Sequence, residues 1–298
     1  MANDDIAPVF SDDGNYIYFY SYRGITPGKA YDVPAQSYKM NVDGSNQTKI
    51  TSSDHRNWWV LPFHQEGLIV VSDRDATEPF GGANIYHHNL KDGSYEPLTN
   101  VNPKAGEWAL WFSKTEDNKS LVYLTQNAFR DYKETKLYKY DFVTRKAKQI
   151  LKEFKSIKFP YISRDGSHIA FVSDHKIYIA DGDGQNTIEV ISMNKEENSS
   201  FYGISLTNGG NKISFSFAKD GITSAELYTI NSDGTNLRQL TDNNVRDTNP
   251  NWSPDNKFIA FNSVRHNNLN HNDIFIIPAA GGSETNLTQT SIYDKNIE

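Results

Sequence analysis

The chain has 298 residues, no cysteine and a formal net charge of −7, from 37 acidic and 30 basic residues. This composition excludes disulfides and thiolate metal sites, and it provides no basic surface for nucleic acid or for an anionic membrane. No apolar run approaches the roughly 20 residues of a membrane-spanning helix. Aromatic residues make up 13% of the chain, which favours β-structure around a substantial core.

Two distant segments have nearly the same pattern. Residues 8–21 read PVFSDDGNYIYFYS, and residues 250–263 read PNWSPDNKFIAFNS. Each contains an Asp-rich turn followed by an alternating apolar run that ends in Ser, which predicts a β-hairpin. Two such similar hairpins predict further copies between them.

Six copies of this hairpin follow one another along the chain. Their second strands end at anchor positions that are 44 to 53 residues apart, namely Ser21, Ser72, Thr125, Ser173, Phe217 and Ser263. A third short strand follows each anchor, with an aromatic residue near its start, namely Tyr38, Tyr86, Tyr138, Tyr178, Tyr228 and Phe275. A fourth strand often closes on an apolar residue and Thr, as at Thr51, Thr99, Thr241 and Thr288. Four strands per copy predict an antiparallel meander.

A lone four-stranded sheet leaves an apolar face in water, whereas sheets packed in a ring cover one another. The repeat length and strand number are typical of propeller blades. The sequence therefore predicts a single-domain, all-β, six-bladed β-propeller with four antiparallel strands per blade. The expected blades are residues 6–53, 54–101, 102–153, 154–197, 198–244 and 245–290, followed by a C-terminal tail at 291–298. Because each blade is contiguous, we expect side-chain packing between the last and first blades, helped by the tail, to close the ring.

The repeat resembles the TolB-like propeller repeat, in which Pro-x-Trp/Phe-Ser-Pro-Asp-Gly leads to Ile-Ala-Phe-x-Ser and later to Leu-Thr. Residues 249–265, NPNWSPDNKFIAFNSVR, match it well, and the resemblance extends over nearly the whole chain. It implies a platform for a protein partner in the bacterial envelope, in the periplasm or outside the cell. TolB proteins also carry an α/β domain before the propeller. Here the first blade is expected to begin within the first ten residues, so only the propeller class is carried over.

Two functions are compatible with these patterns. The first is a non-catalytic, monomeric module that holds a protein or peptide on the face formed by the long loops between second and third strands. The second is a glycan-active or glycan-binding propeller at the same face, because oligogalacturonate lyases resemble this repeat and act on acidic sugars with a histidine-held metal. An aromatic funnel favours the first function, and a converging cluster of histidines and carboxylates favours the second.

Arginines follow the anchors in the long loops. Three belong to Ser-x-Arg motifs and one lies in the corresponding loop of the third blade, giving Arg23, Arg74, Arg265 and Arg130. They predict either a ring of guanidinium groups for an anionic ligand or salt bridges that join adjacent blades, through aspartates such as Asp54 and Asp247.

Further candidates for the funnel lie near the first strands. They are His55, Arg56, Trp58, Trp59, Glu107, Trp108, Tyr202, Arg246, Asp247 and His271. Neighbours on a strand point to opposite faces, so only one of Trp58 and Trp59 can enter a given inter-blade core, and the other must face the channel or another surface. Trp111 and Trp252 are expected in the core.

No cofactor is expected, with a divalent metal as the alternative. His266, His271 and Asp273 share a loop and could supply nitrogen and oxygen ligands, although the same residues also suit an ordinary polar loop. His87 and His88 are adjacent on a strand and point apart, so they cannot chelate one ion.

Overall fold

The computed structural model is a ring of six four-stranded antiparallel sheets. It describes residues 4–23, 34–51, 54–64, 67–77, 81–127, 133–193, 199–243, 245–264 and 271–288. Within these ranges the only helical segments are two 3-10 turns of three residues each, Pro103–Ala105 and Ile222–Ser224. The prediction of an all-β, six-bladed propeller with four strands per blade is confirmed.

Each sheet keeps its strands in chain order. Blades one to three contain β1 (Asp5–Phe10), β2 (Tyr16–Ser21), β3 (Gln36–Asn41), β4 (Thr48–Lys49), β5 (Asn57–Phe63), β6 (Gly67–Ser72), β7 (Asn84–Asn89), β8 (Tyr95–Pro97), β9 (Trp108–Lys114), β10 (Ser120–Gln126), β11 (Thr135–Asp141) and β12 (Lys146–Ile150). Blades four to six contain β13 (Lys158–Ile162), β14 (His168–Ser173), β15 (Lys176–Asp181), β16 (Ile188–Ser192), β17 (Ser200–Leu206), β18 (Lys212–Ala218), β19 (Glu226–Asn231), β20 (Arg238–Gln239), β21 (Asp247–Trp252), β22 (Phe258–Ser263), β23 (Asp273–Pro278) and β24 (Thr285–Asn286). The first strands of successive blades contact one another, so they surround the central channel.

The connections divide between two faces of the ring. Turns from first to second strand and from third to fourth strand form what we term the hairpin face. Connections from second to third strand, and from each fourth strand to the next blade, form the opposite face, which we term the funnel face. The described ends of the long loops predicted from the sequence lie on the funnel face.

An aspartate fixes the turn between first and second strands in four blades. Asp13, Asp117, Asp165 and Asp255 each accept a hydrogen bond from the backbone N–H two residues later, at 2.9–3.1 Å. A hydroxyl two residues earlier donates to the same carboxylate, and at Asp117 these bonds, led by the one from Thr115, lower the pKa to about 2. The third blade therefore keeps this turn although its sequence, SKTEDN, departs from the repeat.

A buried threonine ties the fourth strand to the third in four blades. These residues are Thr51, Thr99, Thr241 and Thr288. Each hydroxyl accepts a hydrogen bond from a backbone N–H at the start of the third strand, at 2.8–3.0 Å. Each hydroxyl also donates a hydrogen bond to a side-chain oxygen of the residue just before that N–H. Thr241, for example, accepts from the Leu227 N–H and donates to Glu226. This pair of bonds explains why the repeat so often ends in an apolar residue and Thr.

Replacing Thr241 with Val should lower the free energy of unfolding by about 1–2 kcal/mol, because it removes the acceptor of the buried Leu227 N–H and the donor to Glu226. Urea denaturation followed by far-UV circular dichroism measures the change. The matched control is Thr285→Val at an exposed position, which should change stability by less than about 0.5 kcal/mol. Equal losses in the two variants would contradict this role of the hydroxyl.

The sixth and first blades meet without sharing a strand. The Asp5 N–H donates to the Asn272 carbonyl at 2.9 Å, and the Ala7 N–H donates to Oδ1 of Asn262 at 3.0 Å. An apolar cluster covers this seam and consists of Phe10, Ile17, Phe19, Met40, Ala260, Ile274 and Leu287. Side-chain packing between these blades is as predicted, whereas the tail at 291–298 lies outside the described residues.

Charged residues bridge the channel at the hairpin face. Oδ2 of Asp12, in the first blade, lies 2.8 Å from Nζ of Lys114 in the third, and Oδ1 lies 3.0 Å from a guanidinium nitrogen of Arg164 in the fourth. Burial lowers the pKa of the Lys114 ammonium, and the Asp12 carboxylate opposes this shift. The Asn251 amide also donates to the Tyr161 hydroxyl, from the sixth blade to the fourth, at 3.0 Å.

Candidate functional site

A cavity of about 310 Å³ opens at the centre of the ring, and we term it the funnel. Its floor is formed by Trp59, Trp111 and Phe159, which also line a smaller cavity of about 90 Å³ on their other side. Its walls include Lys158, Ser200, Tyr202, Arg246, Thr248 and Asn272. The first strands of the blades contribute most of these residues, so rigid elements hold them in place.

The aromatic floor depends on a bulge in each first strand. Pairing between first and second strands shifts register at mid-length in all six blades. At three of these bulges Trp59, Trp111 and Phe159 have φ values of 41°, 50° and 49°, in the left-handed region that bulky residues rarely occupy. A bulge redirects a side chain, and here it places three large rings at the axis.

The three rings form a continuous row. The ring centroids of Trp59 and Trp111 are 4.8 Å apart, and those of Trp111 and Phe159 are 4.9 Å apart in an edge-to-face arrangement. Tyr20 extends the row, with its ring 6.1 Å from that of Trp59. These distances are typical of favourable aromatic pairs, so the floor is a packed surface that separates the two cavities.

The charged groups that line the funnel are cations. They are Lys158 and Arg246, and no Asp, Glu or His lines it within the described part of the chain. Burial lowers the pKa of Lys158, while Asp174 acts in the opposite direction. A guanidinium nitrogen of Arg246 donates to Oδ1 of Asn272 at 3.1 Å, and burial raises the pKa of Tyr202. The funnel is therefore a partly desolvated cationic site above an aromatic floor.

Three of the sequence candidates come together in the funnel. They are Trp59, Tyr202 and Arg246. The neighbouring tryptophans separate as expected, because Trp58 is buried in the inter-blade core, 5.9 Å from Trp108, while Trp59 faces the channel. Trp58 also donates its indole N–H to the Tyr22 hydroxyl at 3.2 Å. Trp58 and Trp108 thus lie outside the funnel lining.

The described arginines near the loops contact partners on their own blades. Arg23 pairs with the fully buried Asp5, its Nε donating at 3.0 Å, and Arg56 lies 3.0 Å from the Asp73 carboxylate. The guanidinium of Arg74 stacks over the Tyr95 ring, 3.2 Å from its centroid. The alternative with salt bridges thus fits Arg23, but its partner is an aspartate of the same blade rather than of a neighbouring one. Arg130 and Arg265 lie outside the described residues.

The remaining polar candidates are dispersed. His55 is exposed, and Glu107 accepts a hydrogen bond from the Asn102 N–H at 2.7 Å at the rim of a different cavity. Asp247 is fully buried and accepts a bond from the Asn243 amide at 2.9 Å. None of these three lines the funnel within the part of the chain that the structure describes.

The predicted metal ligands have other contacts where they are described. Asp273 accepts hydrogen bonds from Asn286 and Thr288, as part of the threonine tie in its blade. Nδ1 of His271 lies 3.9 Å from the Asp4 carboxylate. His266 lies outside the described residues, and among those that are described no group of three His, Cys, Asp or Glu side chains is arranged to hold a metal.

Sequence reasoning missed several residues of the funnel. Trp111 was expected in the core, but its ring lies at the floor, where the bulge in the strand directs it. Lys158 and Phe159 were not singled out, although they occupy the same strand positions as Trp58 and Trp59 in their own blade. An alignment of the six first strands, position by position, would have identified Lys158 and Phe159 as the counterparts of Trp58 and Trp59.

Comparisons with known proteins agree with this architecture. The family described as the TolB beta propeller domain matches residues 113–297, which is more than half of the chain. A search of curated protein sequences finds no significant match. Among the described residues, no helix has the length and apolar character to cross a membrane.

Similar solved structures share the fold at low sequence identity. TolB from Acinetobacter baumannii has a TM-score of 0.64 at 16% identity, over 95% of this chain and 63% of that one. An oligogalacturonate lyase in complex with manganese has a TM-score of 0.61 at 16% identity, over 97% and 78%. The calcium-binding protein regucalcin from Agrobacterium tumefaciens strain C58 has a TM-score of 0.67 at 12% identity, over 94% and 92%.

The chain thus spans less than two thirds of the length of that TolB, and these similarities show the fold alone. Family membership comes from the sequence match, which covers most of the third blade and all the described parts of blades four to six. The chain belongs to the TolB beta propeller domain family.

Proposed function

We propose that this chain is a non-catalytic binding propeller that holds an acidic segment of a protein or peptide partner in the funnel. The observation that carries the proposal is the funnel lining, in which Lys158 and Arg246 stand above the rings of Trp59, Trp111 and Phe159. The family membership supports a propeller that binds a partner in the bacterial periplasm, and we propose that it works there as a monomer.

The aromatic floor favours a partner that inserts a side chain. Large rings on a rigid scaffold supply contact area at low entropic cost, and such anchors dominate many protein interfaces. The cavity of about 310 Å³ has room for one or two side chains rather than a whole domain. A short segment of the partner would therefore enter the funnel, and the rest of the partner would remain outside it.

The two cations favour an acidic residue in that segment. The chain as a whole carries a net charge of −7, so a funnel lined by Lys158 and Arg246 is a local reversal of sign. Burial removes water from the Lys158 ammonium, and a carboxylate from the partner would restore favourable interactions that burial has weakened. Charge complementarity of this kind provides specificity and faster association.

A glycan-active site would need a different set of groups. Candidates such as His55, Glu107 and His271 are not gathered in the funnel, and no carboxylate or imidazole lines it among the residues that the structure describes. Aromatic rings and cations are nevertheless compatible with binding an acidic oligosaccharide. We therefore retain an acidic glycan as the second candidate ligand, and the experiment below separates it from a peptide.

The test is selection of a displayed peptide library on the immobilised wild-type protein, followed by fluorescence anisotropy with the selected peptides. We expect acidic peptides whose affinity falls about tenfold or more in Trp59→Ala and in Lys158→Gln. Trp59→Ala should fold, because Ala7 already occupies the equivalent bulge of the first blade with φ 55°. Replacing Asp by Asn in the peptide should weaken binding to the wild type but change little in Lys158→Gln.

Two control variants are matched to these changes. Phe258→Ala removes an exposed aromatic residue, and Lys146→Gln removes an exposed cation, both away from the funnel. Both should bind the selected peptides as tightly as the wild type. Peptides that bind equally to all variants would contradict the proposal. A different result would favour the glycan function instead. In that case oligogalacturonate binds the wild type saturably, Trp59→Ala abolishes this binding, and no selected peptide depends on the funnel residues.

A further inference from the structure

A groove lies on the hairpin face, between the fifth and sixth blades. Its volume is about 660 Å³, which is within the range of small-molecule binding sites. Trp252 forms part of its wall at the end of β21, and the turns of both blades complete it. The groove and the funnel share no lining residue, so the groove is a separate site.

At this blade interface the third-to-fourth turn makes a different contact from those in the first and fifth blades. In the first and fifth blades the glycine of the third-to-fourth turn packs on the preceding blade, where a Cβ on Gly44 or Gly234 would lie 2.5 or 2.7 Å from a backbone carbonyl oxygen. In the sixth blade the same position is Gly281, and a Cβ there would lie 2.6 Å from a guanidinium nitrogen of Arg238. A cationic side chain thus occupies the place where those two interfaces have a backbone carbonyl.

The groove is lined by cations and uncharged polar groups. Arg238, Lys212 and Lys257 line it together with four asparagines, and none of its lining residues is acidic. Lys257 pairs with the exposed Asp255 at 3.3 Å, next to the groove. In a chain with a net charge of −7, three cations thus line one groove.

Trp252 supplies an aromatic wall of the groove. Its side chain is 3% exposed, and it packs in an apolar cluster with Leu227 of the fifth blade and Ile259 of the sixth. This wall is therefore held by the core between the two blades.

We propose that this groove binds a small organic polyanion, bearing two or more carboxylate or phosphate groups, through Arg238, Lys212 and Lys257. The guanidinium suits bidentate contacts with such oxyanions, and the asparagine amides supply further donors. The site is independent of the proposed function, because it does not involve the funnel.

The test uses citrate and pyrophosphate as probes, at an ionic strength that sodium chloride holds constant. Thermal unfolding and tryptophan emission are followed as each probe is titrated into the wild-type protein. We expect saturable binding that raises the unfolding temperature, since a ligand of the native state stabilises it by mass action. A response to citrate alone identifies carboxylates as the ligand groups, and a response to pyrophosphate alone identifies phosphates.

The decisive variant is the pair Arg238→Gln and Lys212→Gln, which should raise the dissociation constant about tenfold or more. Lys146→Gln with Lys148→Gln removes the same charge from exposed positions of the third blade and should leave it within about twofold. Equal affinity in both double variants, or no response of the wild type up to about 10 mM probe, would overturn the proposal. An equal loss in Arg246→Gln would also overturn it, because the anions would then be bound in the funnel.

Discussion

Arg23→Gln is expected to lower the free energy of unfolding at pH 7.5 by about 3 kcal/mol. The Asp5 carboxylate has no exposed surface and Arg23 is 21% exposed, so the substitution removes the cation that compensates a buried charge. Removing one partner of a buried pair costs more than the pair contributes, because the remaining charge stays desolvated. The guanidinium also lies 5.4 Å from the ring centroids of Phe19 and Tyr38, and that contact is lost as well.

The cost of Arg23→Gln should depend on pH. Burial raises the pKa of Asp5 from 3.8 to about 6, and Arg23 opposes that rise. For an acid whose pKa is raised by folding, the stabilising contribution is fully present below the ordinary pKa and is lost as the pH rises through the folded value. Without Arg23 the pKa rises further, so the difference between variant and wild type should shrink to less than about 1 kcal/mol at pH 4.5.

Urea denaturation at pH 4.5 and 7.5 measures both values. Adding Asp5→Asn to Arg23→Gln should restore most of the loss at pH 7.5, because the buried charge is then absent. Arg145→Gln disrupts an exposed pair with Glu96 and should cost less than about 1 kcal/mol at both pH values. A loss from Arg23→Gln that is the same at the two pH values would show that the Asp5 charge is not its cause.

Asp12→Asn is expected to lower the free energy of unfolding by about 2–3 kcal/mol. Its carboxylate is the acceptor for Lys114, whose side chain is 5% exposed, and for Arg164. The Asn side chain keeps the shape but leaves a buried ammonium without its counter-charge, and the partial exposure of Asp12 moderates the loss. The change also removes a contact between the first blade and the opposite side of the ring.

A second substitution separates charge from shape at this bridge. Adding Lys114→Met to Asp12→Asn should recover at least half of the loss, because an apolar side chain of similar length needs no counter-charge. Asp183→Asn, at an exposed pair with Lys139, should change stability by less than about 0.5 kcal/mol. If Asp12→Asn proves as mild as Asp183→Asn in urea denaturation, the bridge does not stabilise the ring.

The fold could be predicted because its signals are local and repeated. Alternating strands, Asp-rich turns and the apolar-Thr ending occur in several blades. In the structure the strands pair in sheets, and the aspartates and threonines make the hydrogen bonds that hold the turns and the fourth strands. The turn at Asp117 shows that a divergent sequence keeps the geometry when one carboxylate and one hydroxyl remain.

The candidate site could be predicted only in part, because its main determinant is a break in periodicity. Alternation correctly assigned Trp58 and Trp59 to opposite faces, whereas Trp111, which was expected in the core, lies at the floor because a bulge redirects its ring. The arginine motifs drew attention to Arg23, whose charge partner, Asp5, is 18 residues away along the chain. That pairing depends on how β1 and β2 align, which a motif does not reveal.

The packed row of Trp59, Trp111 and Phe159 also determines the route of any ligand. With the rings across the axis and the Asp12 bridge beneath them, a molecule in the funnel leaves by the same opening through which it came. Entry and release of a bound segment would therefore share one path, so a substitution that narrows this opening would slow both its association and its dissociation.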